Sequence, residues 1–274
     1  MIRKIITSLL VLVLFSNCKT VPITGRKTIN FVGDERVLPT SFAQYKGFLR
    51  EHELSKDVTK TNEIKEVGAR ISKAVDRYMR AHGMTKEANS YRWEFNLVED
   101  KTINAWCMPG GKVVFYTGIL PIAKNKDGIA AIMGHEVAHA FAKHGQERMS
   151  TGMIQQLGGV ATQIFTGTQI KDPKKAQMFN MLYGVGSQLG MLKFSRTHEQ
   201  EADRLGLIFM LMAGYNGSEA AQVWVRMSQR PGANQAPPEI LSTHPSNVSR
   251  INDLKAYLPK AKVLAKKFNA ESIK

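Results

Sequence analysis

Gly134-His135-Glu136-Val137-Ala138-His139-Ala140-Phe141 lies within an apolar run over residues 129–142, and its reading decides the fold. The run predicts a helix, with Asp127 as its N-cap. Positions i and i+4 share a helix face, so His135 and His139 can reach one point while Glu136 projects beside them. Three fixed positions also recur by chance, and the plain alternative is a polar face with two surface histidines. The neighbours Ala131, Ile132, Val137, Ala138, Ala140 and Phe141 favour a mostly buried helix instead. Burying two imidazoles and a carboxylate is costly unless something pairs them. Zinc suits such donors, and a catalytic zinc site takes three protein ligands plus an open position.

A third donor should come from a separate helix. His198-Glu199-Gln200-Glu201-Ala202-Asp203 opens a second strongly apolar stretch, 197–213, in which Glu199 and Asp203 are again i and i+4. Glu199, with the longer side chain, is the better ligand candidate. Asp203 is better suited to accept a hydrogen bond from a ligand histidine and fix its tautomer. Glu201 and Arg204 are expected in structural ion pairs, His198 away from the metal, and His144 on the surface.

Around these helices the chain reads as mainly α with a small mixed β-sheet. A helix is expected from residue 62 to about 83 on the period of Ile64, Val67, Ile71, Ala74, Val75, Tyr78 and Met79. Three short strands follow over 93–98, 103–108 and 112–116, with Pro109-Gly110-Gly111 between the last two. Further helices are expected over 150–167, over 173–192, from Ser218 to about Gln229, and from Ser246 toward Tyr257. The proline-rich stretch 231–245 reads as a loop.

The chain has 274 residues, of which 43% are hydrophobic and 22% charged, which excludes a disordered tail protein or a coiled coil. Two cysteines exclude a disulfide scaffold and any four-cysteine zinc site. The +15 net charge suits an anionic membrane surface; without a zinc finger or helix-turn-helix pattern, nucleic acid is not an expected partner. Arg3 and Lys4 precede an apolar run over 5–15, and Ser16-Asn17-Cys18 follows it. That pattern predicts an exported chain with a lipoprotein signal over 1–17 and lipidation at Cys18, or else a plain secretory signal. A lipid anchor and a basic body together predict attachment to a membrane surface. Cys107 is expected buried as a small hydrophobe.

Four stretches resemble the HtpX-like and CAAX-prenyl-protease-like family of zinc endopeptidases, of gluzincin type. They are Asn104 through Gly111, Gly134 through His144, Ser195 through Asp203, and Thr243-His244-Pro245 with Arg250. Val21-Pro22-Ile23-Thr24-Gly25-Arg26 is similar to secreted, often lipidated members, which points to the periplasmic lipoprotein branch. The resemblance implies a zincin-like metallopeptidase domain over 61–258, after an N-terminal extension over 18–60 and before a basic C-terminal tail over 259–274. It implies one Zn2+ per subunit held by His135, His139 and Glu199, with Glu136 taking the proton from water activated by the metal. His244 or Arg250 would stabilise the oxyanion, or His244 would occupy the open coordination position at rest. The strand from Asn104 through Gly110 and Gly111 to Tyr116 would offer its edge to an extended substrate.

The function implied is hydrolysis of misfolded or misassembled proteins in the bacterial cell envelope or periplasm, with envelope assembly complexes as partners. The alternative is an assembly chaperone or scaffold with latent proteolysis.

Overall fold

The computed structural model describes residues 18–153, 194–230, 240, 244 and 248–272. The expected class holds: among the described residues, six main helices accompany a three-stranded mixed sheet. They are α1 (Asp34–Glu51), α2 (Val58–Ala81), α3 (Lys126–Phe141), α4 (Arg196–Met212), α5 (Glu219–Gln229) and α6 (Val248–Glu271). A two-stranded antiparallel ribbon, β1 (Cys18–Thr20) with β2 (Lys27–Ile29), precedes α1.

Helix α2 starts four residues before the expected residue 62 because Asp57 caps it, accepting from Lys60 N at 2.9 Å. Its predicted stripe, from Ile64 to Met79, is buried. In the sheet, β3 (Glu94–Val98) pairs parallel with β5 (Lys112–Tyr116), and β4 (Ala105–Met108) pairs antiparallel with the other side of β5. The order β3-β5-β4 corrects one expectation. The segment continuing to Tyr116 is the central strand, and its Val113, Val114 and Phe115 are buried on both faces, so of the expected substrate edge only β4 lies at a margin of the sheet.

Gly110 and Gly111 also leave the expected substrate edge. Both have φ near +83° in the β4–β5 turn, and their carbonyls accept from Arg92 N and Glu94 N. An added Cβ would meet the Phe42 ring at Gly110 and the Trp93 ring at Gly111, each at 2.5 Å. These glycines close a turn and seat two aromatic rings.

Helix α3 is buried on every side from Gly128 to Phe141, as befits the central element. Asn125, not Asp127, caps it, accepting from Gly128 N at 2.9 Å, while Asp127 turns outward to accept from Asn216 N. Helix α4 is capped by Ser195, which accepts from His198 N at 3.1 Å. The two helices meet backbone to backbone at Gly134 and Gly206. A Cβ on Gly134 would lie 2.7 Å from Gly206 O, and one on Gly206 would lie 2.7 Å from His135 N. No side chain fits there, and the contact falls one residue before His135 and three after Asp203.

Helix α6 differs from the short helix and separate tail expected at its end. It runs unbroken through Pro259 to Glu271, because Leu254, Ala261, Ala265 and Phe268 continue one buried stripe. Phe268 meets the Tyr78 ring edge-on at 4.9 Å, and Asn269 donates to Met212 O at 3.2 Å. Residues 144–153 are helical; the rest of 150–167, all of 173–192 and most of the 231–245 loop lie outside the described residues. Among the described residues no helix is long and apolar enough to cross a membrane.

The α3–α4 contact yields a prediction. Gly206→Ala should lower stability by about 1–3 kcal/mol, since the helices must part to admit the methyl group. Gly47→Ala, inside α1 with nothing within 4 Å of the new atom, should raise it by roughly 0.5–1 kcal/mol. Urea unfolding of the two variants measures both signs.

Candidate metal centre

The i, i+4 spacing on α3 brings His135 Nε2 to 3.1 Å from His139 Nε2. From α4, Glu199 reaches across the glycine contact, with Oε2 3.5 Å from His135 Nε2 and Oε1 3.5 Å from His139 Nε2. His244 closes the group, its Nδ1 3.3 Å from His135 Nε2 and 3.0 Å from Glu199 Oε1. All four side chains are buried, and one donor atom from each lies within 4.8 Å of every other.

This donor set fits a divalent metal. Ligands about 2.05 Å from a tetrahedral centre stand roughly 3.3 Å apart, and the separations here bracket that value. A cation at the centre would accept a lone pair from each of the three imidazole nitrogens and the carboxylate at once. Glu136 Oε1 is buried without a hydrogen-bond partner among the described residues; His244 Nε2 is 3.7 Å away.

Each donor is held from behind. Asp203 Oδ1 lies 3.0 Å from His135 Nδ1, the ring nitrogen opposite the cluster. Arg250 grips Asp203 with Nε and Nη2, both at 2.7 Å, and reaches Glu199 Oε2 with Nη1 at 2.8 Å. The guanidinium stacks on Trp224, 3.9 Å from the ring centroid. This geometry speaks against the oxyanion role expected of Arg250: its fork is occupied by the carboxylates behind the cluster.

Burial would raise the Glu199 carboxyl, but His244 and His135 overcome it and hold it well below the carboxylate range. Asp203 is likewise held down, against burial, by Arg250. Burial pushes Glu136 up, opposed by His244 and His135. His135, despite burial, is raised to about 9 by Asp203 and Glu199, while burial drives His139 well below its ordinary value.

Residues 65–258 match the profile of Peptidase family M48. The chain belongs to that family. It is 34% identical over 193 residues to the mitochondrial metalloendopeptidase OMA1 of Schizosaccharomyces pombe, covering 70% of this chain and 53% of that protein. It is 26% identical over 185 residues to the beta-barrel assembly-enhancing protease of Escherichia coli K12, covering 65% of this chain and 37% of that one. The chain thus spans about half, or less, of the length of these relatives. Membership in M48 bears out the expected zincin-like metallopeptidase fold.

Several side chains at this M48 site escaped the sequence pattern. His144, expected on the surface, is fully buried, with Nδ1 2.9 Å from His139 Nδ1. Lys143, at φ +58°, breaks the helix before it, so the 100° spacing from His139 does not carry over. Phe194 lies across the cluster, its ring 3.9 Å from that of His139 and 5.0 Å from that of His244. His198 pairs with Glu147 at 3.2 Å, away from the donors as expected, and Glu201 makes ion pairs, also as expected. Arg204 packs over the Tyr257 ring. Cys107 is a half-buried free thiol whose pKa burial pushes up.

These shifts predict how metal-free stability follows pH. The folded pKa of His135 lies above its unfolded value near 6.5, so its contribution is complete below pH 6.5 and lost as pH rises toward 9. Burial depresses His144 to about 4 despite Glu201, so the unfolded chain takes up its proton first and stability falls from pH 6.5 toward 4. The loss on the acid side from His144 is about 3 kcal/mol. Urea titrations of chelator-treated protein should give a maximum near pH 6.5 and a shallower acid limb in His144→Gln.

Proposed function

We propose that this chain is a zinc-dependent endopeptidase acting on unfolded or misassembled proteins of the cell envelope. The observation that carries the reading is the convergence of His135, His139, Glu199 and His244 beside the unpartnered Glu136. His135, His139 and Glu199 would hold one zinc ion. Bound there, zinc would supply Lewis acidity, acidifying water and polarising the scissile carbonyl. Glu136, its carboxyl raised by burial, takes the proton from the attacking water and returns it to the leaving amine. Asp203 fixes the His135 ring, and Arg250 holds Asp203 and Glu199 in register.

The substrate would add to the free edge of β4, which packs against α3. Asn104 O accepts from Tyr116 N, so by antiparallel alternation Trp106 and Met108 also face β5. Ala105 N already donates to Asn104 Oδ1 at 2.9 Å, so Ala105 O and the backbone groups of Cys107 are left on the free side, where they would read an extended chain without regard to its side chains. An apolar cavity lined by Ile132, Val223, Trp224, Met227 and Ile240 borders Glu136 and would take one substrate side chain. The envelope assignment draws on the E. coli relative and on the leader pattern ending at Cys18. The periplasmic lipoprotein branch, the lipid anchor and the misassembled envelope substrates belong to this proposal.

The second reading, a chaperone or scaffold with latent proteolysis, draws on His244, which stands where an open coordination position would be. In that position His244 keeps the site closed at rest and leaves when substrate enters.

Purified chain loaded with zinc should cleave an unfolded protein such as reduced casein. Glu136→Gln should slow this by about 10²–10⁴-fold while still binding one zinc. His244→Ala should keep zinc and cleave faster. If neither the zinc-loaded wild type nor His244→Ala cleaves, the scaffold reading replaces the enzyme. For location, membrane fractionation of Cys18→Ala should release the protein at high salt, whereas wild type stays bound; salt-indifferent behaviour of the variant would count against the membrane surface.

A further inference from the structure

The turn before β2 presents two side chains to the metal centre from behind. Val21 N donates to Arg26 O and Gly25 N to Val21 O, closing a tight loop in which Ile23 and Gly25 both have positive φ. A β-branched residue at φ +68° is costly, so the surroundings must hold the loop in this shape. The loop aims Thr24 and Arg26 at one carboxylate. Thr24 Oγ1 donates to Glu201 Oε1, and Arg26 Nε donates to Glu201 Oε2 at 2.7 Å. The remaining arms of Arg26 take both oxygens of Glu147, at 2.8 and 2.7 Å.

Glu201 in turn receives His144 Nε2 at 2.8 Å, and His144 Nδ1 meets His139 Nδ1 at 2.9 Å. The direction of this chain follows from its ends. His139 Nε2 faces the other donors, so a metal-binding ring must leave that nitrogen bare and carry its proton on Nδ1. His139 Nδ1–H then donates to His144 Nδ1, which forces the His144 proton onto Nε2, where it donates to Glu201. Every proton in the series has one place. The ring of His144 is stacked on His198 at 4.5 Å and fully buried, which limits its rotation while Glu201 holds Nε2.

We propose that Arg26, with Thr24, is a positioning residue for the metal ligand His139, acting through Glu201 and His144. The proposal rests on the reading of His135, His139 and Glu199 as metal ligands. Arg26 does not touch the donors. It fixes the charge and position of Glu201, which fixes the tautomer and tilt of His144, which fixes those of His139. Removing it would leave Glu147 and Glu201 without the cation that joins them and free His144 to tilt. The segment ahead of α1 is thereby a working part of the site, although Arg26 lies 100 positions before α3 begins and 170 before α4 begins.

The test uses the full chain, with zinc affinity measured by chelator competition at a temperature well below unfolding for every variant. Arg26→Met and Glu201→Gln should each weaken zinc binding by roughly 10–100-fold and shift the visible spectrum of the cobalt(II)-loaded protein. Arg26→Lys, which keeps the charge but not the fork, should recover part of the loss. In a His144→Phe background, where the series is cut, adding Arg26→Met should cost no further affinity. Unchanged zinc affinity and cobalt spectrum in Arg26→Met, even alongside a lower melting temperature, would overturn the proposal, as would additive losses in the His144→Phe background.

Should wild type bind no zinc, the metal reading fails by itself. The series is then read from the imidazole ¹⁵N shifts of His139. A pure Nδ1–H form that becomes mixed in Glu201→Gln sustains it, and a mixed form in wild type rejects it.

Discussion

The site exists because two helix backbones touch. Gly134 and Gly206 admit no side chain between α3 and α4, and that contact brings Glu199 within reach of two histidines on another helix. Ordinary helix pairs stand 8–10 Å apart on their side chains. At such a distance a glutamate could still stretch across, but Asp203, one methylene shorter, could not also meet His135 Nδ1 at 3.0 Å. The glycine pair thus decides both the ligand shell and the layer behind it. The complete burial of α3 has the same root, since a central helix gripped this closely presents no face to water.

Such burial is expensive, and the structure answers it by pairing in layers. Cationic Arg250 and anionic Asp203 and Glu199 are each almost wholly enclosed, and losing one partner of a buried pair costs about 3–5 kcal/mol. Two separate supports result, one for each histidine of α3. Asp203 and Arg250, from α4 and α6, brace His135; His144, Glu201 and Arg26 stand behind His139. The supports approach from opposite ends of the chain, so the centre is complete only when both have docked.

Much of this was legible in the amino-acid order. The donors on α3 and α4 could be read because each pair sits at i and i+4 of an unbroken helix, where spacing alone fixes the face. The same arithmetic failed at His144, because the left-handed Lys143 resets the helical phase between the two histidines. Strand order was illegible for a different reason. Short strands of similar character do not announce which is central, and β5 became so only through a parallel partner lying before β4 in sequence. A helix toward Tyr257 with a separate tail was expected, yet the buried stripe from Leu254 to Phe268 carries α6 through Pro259 and outweighs the one hydrogen bond that proline forgoes. No local pattern could connect Arg26 with Glu201 across 175 positions.

The short distance along the chain from Cys18 to Arg26 sets a limit in space. Eight residues, fully stretched, reach at most about 29 Å, and the β1–β2 ribbon folds part of that length back on itself. Any attachment at residue 18 would keep the catalytic cleft within one small-domain diameter of the surface that holds it. Proteins far from that surface would be out of range however badly folded, and chains emerging beside it would meet the β4 edge first. Selection of substrates would then be made in large part by address, which pairing with a peptide backbone cannot supply.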